Sequence, residues 1–258
     1  MSILLLRLAG PLQSWGSSAR FARRTTETAP TKSGVIGMLA AALGRDRADD
    51  LSDLAALSFA VRIDQPGTRL RDFQTARHAD TGKPMPVSER FYLADAVFLA
   101  AVAGDEELIR TLHTAVQAPV YLPYLGRRSC PPQGPLDLGT REGDDAVAAL
   151  RHEPWHAADW HQRRHSKQAL VPLQLLAETT GDAPLGTTVR DQPVTFAPDH
   201  RRYALRNVVS TFLDVQNPHF RPENPDAKKQ SSRALTVPRH SPEAHLALLS
   251  PQSPLDGH

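Results

Sequence analysis

The order of apolar segments constrains the fold of this chain more than any other feature of its 258 residues. Runs suited to buried strands alternate with runs whose apolar residues recur at helical spacing. Short polar stretches that contain Gly or Pro separate them. From the N-terminus, the pattern predicts a strand at 3–8, a helix that begins at Thr31 or Ser33, a strand at 57–63, a hairpin at 68–92, a strand at 93–103, a helix at 105–116, a strand at 136–138 and a short helix at 144–150.

With the hairpin left aside, this order is βαββαβ, which is typical of an α+β ferredoxin-like fold. We therefore expect residues 1–140 to form a ferredoxin-like domain into which the hairpin is inserted. Strands predicted at 168–176 and 202–215 indicate a β-rich C-terminal extension, residues 141–215, packed on that core. From residue 216 onward the chain contains seven prolines among basic residues, Ser and His. This composition predicts a flexible tail at 216–258.

Composition limits the classes of protein to which the chain can belong. An apolar content of 40% supports a packed core, and the sequence contains no run of 18 apolar residues. The apolar run at the N-terminus is interrupted by Arg7 too early for a signal peptide. A single cysteine, Cys130, excludes an internal disulfide framework and fits a reducing compartment. We expect a globular, cytoplasmic protein.

The net charge of +2 conceals a segregated distribution. Residues 1–47 contain seven Lys or Arg against two acids, and residues 200–240 contain eight against three. Each region therefore has a net charge of +5, and the rest of the chain is acidic. Segregation of this kind indicates a basic surface for a polyanion.

The first predicted helix lacks the usual acidic partner at its start. A helix N-terminus carries partial positive charge from unpaired N–H groups and is normally complemented by Asp or Glu in the first turn. Here the first turn contains Lys32, and no acid follows before Asp46. One interpretation is that a phosphate from outside supplies the missing anion. The other is that Lys32 extends into solvent.

Two further segments combine cations with features of a binding surface. Arg69, Arg71 and Phe73 are two residues apart, so in an extended strand they share one face. That face suits a nucleic-acid backbone and its bases or, equally, an edge strand protected by charge. Farther along, prolines exclude a helix at 121–132, where Gly126 permits a close backbone approach immediately before Arg127 and Arg128. This pattern predicts a stiff basic loop.

Motifs for catalysis or metal binding are missing or incomplete. The segment HEPWH at 152–156 has the letters of the H-E-x-x-H zinc motif, but Pro154 prevents the continuous helix that the motif needs. The sequence contains no P-loop, no dinucleotide-binding G-x-G-x-x-G and no aromatic RNA-stacking signature of the RRM. We therefore expect no metal site, no cofactor and no catalytic residue.

Three segments together resemble one family: LRLAGPLQSWG at 6–16, PTKSGVIGMLAAALG at 30–44 and YLPYLGRRSCP at 121–131. Weaker similarity occurs at 70–75 and 89–98. On these segments the chain resembles the CasD family, which caps the 5′ end of the guide RNA in the type I-E CRISPR Cascade, a ribonucleoprotein complex of antiviral defence. The resemblance is specific across residues 3–139 and loose across 140–215.

The resemblance implies a ferredoxin-like core of the RAMP type, with the hairpin at 68–92 as its thumb. It also implies binding of the crRNA 5′ handle beside a CasC-family backbone subunit and a CasA-family large subunit, with target DNA met only through the assembled complex. Trp15 would either stack on a base or brace the loop as a lid on the core. The predicted RNA-binding residues are Gln13, Ser14, Trp15, Arg23, Arg24, Lys32, Ser33, Arg69, Arg71, Arg90, Gly126, Arg127, Arg128 and Ser129.

Two other functions fit the sequence. The first is a metal-independent endoribonuclease that processes precursor crRNA, as related type I-C proteins of this superfamily do, using side chains such as Tyr, Lys and His. His78, Tyr92, Tyr121 and Lys32 are available for such chemistry, although the sequence does not bring them together. The second is a structural adaptor whose basic surfaces meet acidic partner subunits.

Overall fold

The computed structural model describes residues 1–16, 23–179 and 186–222. These ranges contain eleven strands and five helices. The strands are β1 (Ser2–Ala9), β2 (Leu12–Gln13), β3 (Arg23–Arg24), β4 (Ser58–Gln65), β5 (Thr68–Gln74), β6 (Ser88–Ala94), β7 (Val97–Gly104), β8 (Asp137–Glu142), β9 (Leu170–Glu178), β10 (Thr187–Thr195) and β11 (Arg202–Gln216). The helices are α1 (Lys32–Ala42), α2 (Ser52–Ala55), α3 (Glu106–Gln117), α4 (Ala146–His152) and α5 (Asp159–Arg164).

The larger of two sheets has seven strands in the order β10-β11-β9-β4-β7-β1-β8. Its last four strands, β4-β7-β1-β8, have the strand order and antiparallel pairing of a ferredoxin-like sheet, with α1 and α3 in the two crossovers. β1 lies inside the sheet and is almost wholly buried, as expected for a continuous apolar run. The predicted ferredoxin-like fold is confirmed.

One face of this sheet is covered by α1 and α3. Apolar side chains of α1 pack over β1, β4 and β7 in the main hydrophobic cluster, together with Ile109 and Leu112 of α3. The start of α3 follows the sequence prediction, because Asp105 accepts from the backbone N–H groups of Glu107 and Leu108. The two helices thus cover β1 and β4. The strands that follow β1 and β4 in the chain, β2 and β5, belong to the site described below.

The opposite face is covered by α4 and the HEPWH segment. Trp155 is buried there and donates to the backbone oxygen of Asp64 (2.8 Å). The guanidinium of Arg62 donates to both carboxylate oxygens of Asp64 (2.7 and 2.9 Å) and to the backbone oxygens of Leu150 and Glu153 at the end of α4. The HEPWH segment is therefore structural. It packs beside Arg62, whose buried guanidinium donates to carbonyl groups at the C-terminus of α4. No group of three or more metal-ligating side chains occurs in the described ranges.

The C-terminal strands extend the same sheet. β9 pairs with β4, and β11 lies between β9 and β10. β10 was not predicted from the sequence, and the strand expected at 93–103 is divided into β6 and β7. Asp95, with φ of 56°, forms the break, because a left-handed residue cannot continue an extended strand. The division into a domain at 1–140 and an extension at 141–215 stays a prediction.

The predicted flexible tail at 216–258 falls almost wholly on 223–258, which lie outside the described residues. Its first residues, as far as Pro222, follow directly from β11, and the backbone N–H of Arg221 donates to the oxygen of Ser166 (2.8 Å). Across the described ranges, no helix is both long and apolar enough to cross a membrane.

Candidate nucleic-acid interface

The smaller sheet is built around β6, the returning strand of the predicted hairpin. β5 pairs with β6 along its full length, from Thr68 opposite Ala94 to Gln74 opposite Ser88. Because β5 occupies one edge of β6, β2 and β3 share the other edge. β2 pairs at residues 93–94, and β3 runs parallel to β6 at residues 89–90. Three distant segments of the chain therefore meet on one strand.

One face of this small sheet carries cations stacked on aromatic rings. The guanidinium carbons of Arg23 and Arg69 lie 5.4 and 4.7 Å from the ring centroid of Phe91. Arg71 lies 4.6 Å from the ring of Phe73 and pairs with Glu89. Arg69, Arg71 and Phe73 share this face, as the alternation in the sequence predicts, and the side chain of Phe73 is 56% exposed.

The other face carries Arg24, Arg90 and Arg127. Arg24 lies opposite Arg90 in the pairing of β3 with β6, and its backbone oxygen accepts from Nη2 of Arg127 (2.9 Å). The guanidinium of Arg127 lies 4.8 Å from the ring centroid of Tyr92. Two shielded donor atoms, Nε of Arg90 and Nη1 of Arg127, find no hydrogen-bond acceptor among the residues that the structure describes. An acceptor from outside would satisfy them.

The loop at 124–130 is locked to the opening loop by a close backbone approach. Gly126 has φ of 84°, and a Cβ atom there would lie 1.8 Å from the backbone oxygen of Ser14, so no other residue fits. The N–H of Ser14 donates to the oxygen of Leu125 (3.0 Å). This contact holds Arg127 beside β6, while Arg128 and Ser129 are exposed. Burial raises the pKa of the Cys130 thiol, which disfavours a reactive thiolate.

The opening loop braces the core instead of presenting its side chains. Trp15 is only 1% exposed, and its ring packs against Gly34 of α1. Its Nε1 donates to the side-chain oxygen of Gln13 (3.0 Å), whose amide nitrogen donates to the backbone oxygens of Leu8 and Ala96. The hydroxyl of Ser14 donates to the backbone oxygen of Phe91. The structure thus places the ring of Trp15 in the core, as the lid interpretation predicts, and a contact of this residue with RNA stays a prediction.

The start of α1 receives its anion from within the chain. The backbone N–H of Lys32 donates to Oδ2 of Asp191 in β10 (2.8 Å), and its ammonium pairs with Glu178 of β9 (2.9 Å). Arg206 of β11 pairs with Asp191 (2.5 Å) and lies 3.6 Å from Glu178. The interpretation that Lys32 extends into solvent is wrong, since its side chain is buried. A contact between this helix start and an external phosphate stays a prediction. Ser33 is buried beside it.

Burial lowers the pKa of Lys32, and the nearby Glu178 opposes that shift. The two positive charges of Lys32 and Arg206 balance the two negative charges of Glu178 and Asp191. This cluster joins α1 to all three C-terminal strands. Such a cluster contributes positioning more than net stability.

Comparisons with known proteins point to one family. A family model described as CRISPR-associated protein (Cas_Cas5) matches residues 3–209. The chain is 42% identical over 175 residues to the CRISPR system Cascade subunit CasD of Escherichia coli (strain K12), an alignment that covers 59% of this chain and 78% of that relative. The chain belongs to the CasD family.

Two solved structures extend the similarity over most of the chain. One, described as a CRISPR RNA-guided surveillance complex, contains a chain that is 35% identical, with a TM-score of 0.70 and coverage of 90% of this chain and 98% of that chain. A second, described as a crystal structure of Cas protein, is 38% identical, with a TM-score of 0.64 and coverage of 86% and 99%.

Within this CasD-family fold, the predicted site residues separate into two groups. The first group, which we call the basic surface around β6, contains Arg23, Arg69 and Arg71 on one face of the small sheet and Arg24, Arg90 and Arg127 on the other, with Gly126, Arg128 and Ser129 in the adjoining loop. The buried group contains Gln13, Ser14, Trp15, Lys32 and Ser33. As RNA contacts, all fourteen stay predictions, and burial favours only the first group.

The sequence missed Phe91, Glu178, Asp191 and Arg206. Phe91 could have been found, because it lies between Arg90 and Tyr92 in the predicted hairpin and its side chain must point to the opposite face of the strand from theirs. No local signal marks Asp191 as the partner of a residue 159 positions earlier.

Proposed function

We propose that the chain is a non-catalytic RNA-binding subunit of a CRISPR surveillance complex and holds the 5′ handle of crRNA on the basic surface around β6. The observation that carries the proposal is the pair of shielded donors, Nε of Arg90 and Nη1 of Arg127, which lack an acceptor among the described residues. An unsatisfied buried donor costs about 1–3 kcal/mol, which a phosphate oxygen would recover.

The geometry supports separate roles for backbone and base contacts. Arg24, Arg90 and Arg127 supply cations for phosphates on one face of the small sheet, and Arg128 adds an exposed cation in the adjoining loop. On the other face, the exposed ring of Phe73 offers a stacking surface beside Arg71. Phosphate contacts fix register and base contacts give specificity, so the two faces divide these tasks.

The partners of the assembled complex follow from the family. We propose that the thumb, residues 68–92, and the surfaces beside it contact a CasC-family backbone subunit and a CasA-family large subunit. Exposed Met85 and Val87 near the tip supply apolar area for such contacts. Target DNA would be met only through the assembled complex.

Handle binding is tested by fluorescence anisotropy with labelled 5′-handle RNA and the full chain. Arg90→Ala and Arg127→Ala should each weaken binding about tenfold or more, because each removes a charge-assisted hydrogen bond. Arg110→Ala, which removes an exposed cation from α3, serves as the matched control and should change the affinity less than about twofold. Equal affinities for all three variants would refute the proposal.

The arrangement of candidate acid–base groups disfavours the endoribonuclease alternative. Lys32 begins α1 and is buried, whereas the backbone of Tyr121 pairs with Ala41 near the other end of that helix, about 14 Å away. Tyr92 is buried in β6, and His78 lies at the exposed tip of the hairpin. Site-specific cleavage of repeat RNA without metal, abolished by substitution of His78 or Tyr92, would reinstate this alternative.

The adaptor alternative makes the opposite prediction to handle binding. Under it, the double variant Arg127→Ala with Arg128→Ala retains full affinity for handle RNA but fails to assemble with the partner subunits. Under our proposal, RNA binding is lost first, and assembly declines only as a consequence.

A further inference from the structure

A second basic and aromatic surface begins at the base of the thumb. The backbone N–H of Ala158, the residue before α5, donates to the side-chain oxygen of Gln65, the last residue of β4 (3.1 Å). The amide nitrogen of Gln65 donates to the backbone oxygen of Asp95 at the other end of the thumb. α5 therefore starts where the thumb leaves the large sheet.

Hydrogen bonds hold α5 rigidly in this position. Gln162 is buried, and its amide nitrogen donates to the backbone oxygens of Trp155 and Ala157 (2.8 and 3.0 Å). Asn217 donates to the backbone oxygens of Gln162 and His165 (3.2 and 2.9 Å), which end the helix. A six-residue helix that is fixed at both ends presents its outer side chains without further ordering.

The outer side of α5 exposes a tryptophan among cations. Trp160 is 54% exposed, with its ring edge-on to His161 at 5.4 Å. Burial lowers the pKa of His161, and His165 and Arg164 add to the shift, so His161 contributes no charge at neutral pH. The described segment 158–168, which contains α5, has one acid, Asp159, and this acid pairs with Arg163, so the charge comes from exposed cations. The exposed cations are Arg163, Arg164, Lys167 and Arg221.

We propose that this α5 surface, centred on Trp160 and Arg164, binds single-stranded RNA that continues from the thumb, with a base stacked on Trp160. The inference rests on the proposed function, because it extends the path of the same RNA. An exposed indole with net positive charge around it suits a flexible strand, whose bases stack on the ring while its phosphates meet the cations. The hydrogen bond from Ala158 to Gln65 places the start of α5 next to the strand end from which the thumb leaves the large sheet.

Tryptophan fluorescence gives a direct test, because the three tryptophans differ in exposure. Trp15 and Trp155 are buried, at 1% and 4%, so acrylamide quenches mainly Trp160 in the native full chain. Handle RNA that carries a short 3′ oligouridine extension should protect this fluorescence from acrylamide, and handle RNA alone should protect it much less. Trp160→Phe should remove the quenchable component, which assigns the signal.

Affinity measurements test the surface independently of the handle site. Trp160→Ala should weaken binding of the extended RNA about fivefold or more, since stacking on an aromatic ring contributes substantially for each base. Arg164→Glu should do the same and reduce the slope of log K against log salt by about 0.7. Arg151→Glu is the matched control, because Arg151 is also an exposed cation in the last turn of a short helix. It should leave the affinity within about twofold.

Both variants of the α5 surface should bind handle RNA without the extension as tightly as the unmodified chain does. That result separates this inference from the proposed function. Failure of the proposed function would instead appear as an unchanged affinity for handle RNA in the Arg90→Ala variant. The inference is overturned if the extension adds no affinity and no protection of Trp160. It is also overturned if only a partner subunit, and no RNA, shields Trp160.

Discussion

The opening loop with the start of α1 and the basic surface around β6 both include segments that resemble the CasD family. They differ in how their polar groups are satisfied. Gln13, Trp15 and Lys32 find all of their main partners inside the chain. Arg90 and Arg127 each retain a donor without an acceptor in the described ranges. Resemblance to a family therefore identifies a region, and burial with partners inside the chain distinguishes residues that build this region from exposed or half-buried cations that remain open to a ligand.

Trp15→Ala should produce the largest change, and it tests whether the opening loop is part of the core. Loss of a fully buried tryptophan and of its bond to Gln13 should lower the free energy of unfolding by about 3–5 kcal/mol. Urea denaturation followed by circular dichroism measures this. Trp160→Ala, at an exposed position, is the control and should change it by less than about 0.5 kcal/mol. Similar losses for both variants would contradict the assignment of Trp15 to the core.

Asp191→Ala should come next, because it leaves Lys32 and Arg206 without their shared carboxylate. Removing one partner from a buried ion cluster destabilises by about 3 kcal/mol. The same variant removes the acceptor at the start of α1, so the opening loop should also lose protection from amide hydrogen exchange. A variant with unchanged stability would mean that the cluster is not formed in solution.

Arg128→Ala tests the basic surface around β6. It should weaken RNA binding without changing the free energy of unfolding. Its side chain is exposed, so the free energy of unfolding should change by less than about 0.5 kcal/mol. Affinity for handle RNA should fall about fivefold, and the salt slope should decrease by about 0.7 for the lost phosphate contact. Isothermal titration at several salt concentrations measures both. A stability loss without an affinity loss would reverse the assignment.

The smallest expected effect is a pH dependence at His156. Burial lowers the pKa of this ring below its ordinary value of 6.5. The unfolded chain therefore takes up a proton before the folded one does, and stability falls as the pH decreases below that ordinary value. His156→Gln should reduce the loss of urea midpoint between pH 7.5 and pH 5.5. His161, whose pKa is also lowered by burial, should leave a residual slope. An identical slope in the variant would show that His156 titrates normally.

Local signals in the sequence predicted much of the fold. Apolar runs gave the places of β1, β4 and β7, and Asp105 with its following acids marked the start of α3. The alternation of Arg69, Arg71 and Phe73 predicted their common face. These features depend on residues close together in the chain.

The remaining features depend on partners that are distant in the sequence. Nothing near Lys32 indicates that Asp191 and Glu178 will receive it, and nothing near Trp15 indicates that Gly34 leaves room for its ring. The break at Asp95 is equally hidden, because an apolar run continues on both sides of it. Tertiary contacts determine the partners of Lys32, the packing of Trp15 and the break at Asp95. Each of these features concerns the candidate site.

The pairing pattern of β6 also bears on how the chain is made. Arg24 and Arg127 join across 103 residues of sequence, and Gly126 meets Ser14 across a comparable separation. Closing such long loops comes late, and a chain growing from its N-terminus exposes the first cations well before their neighbours exist. The basic surface around β6 thus cannot be completed before the 124–130 loop is made, and a ribosome must release residues up to this loop before RNA can meet an ordered surface.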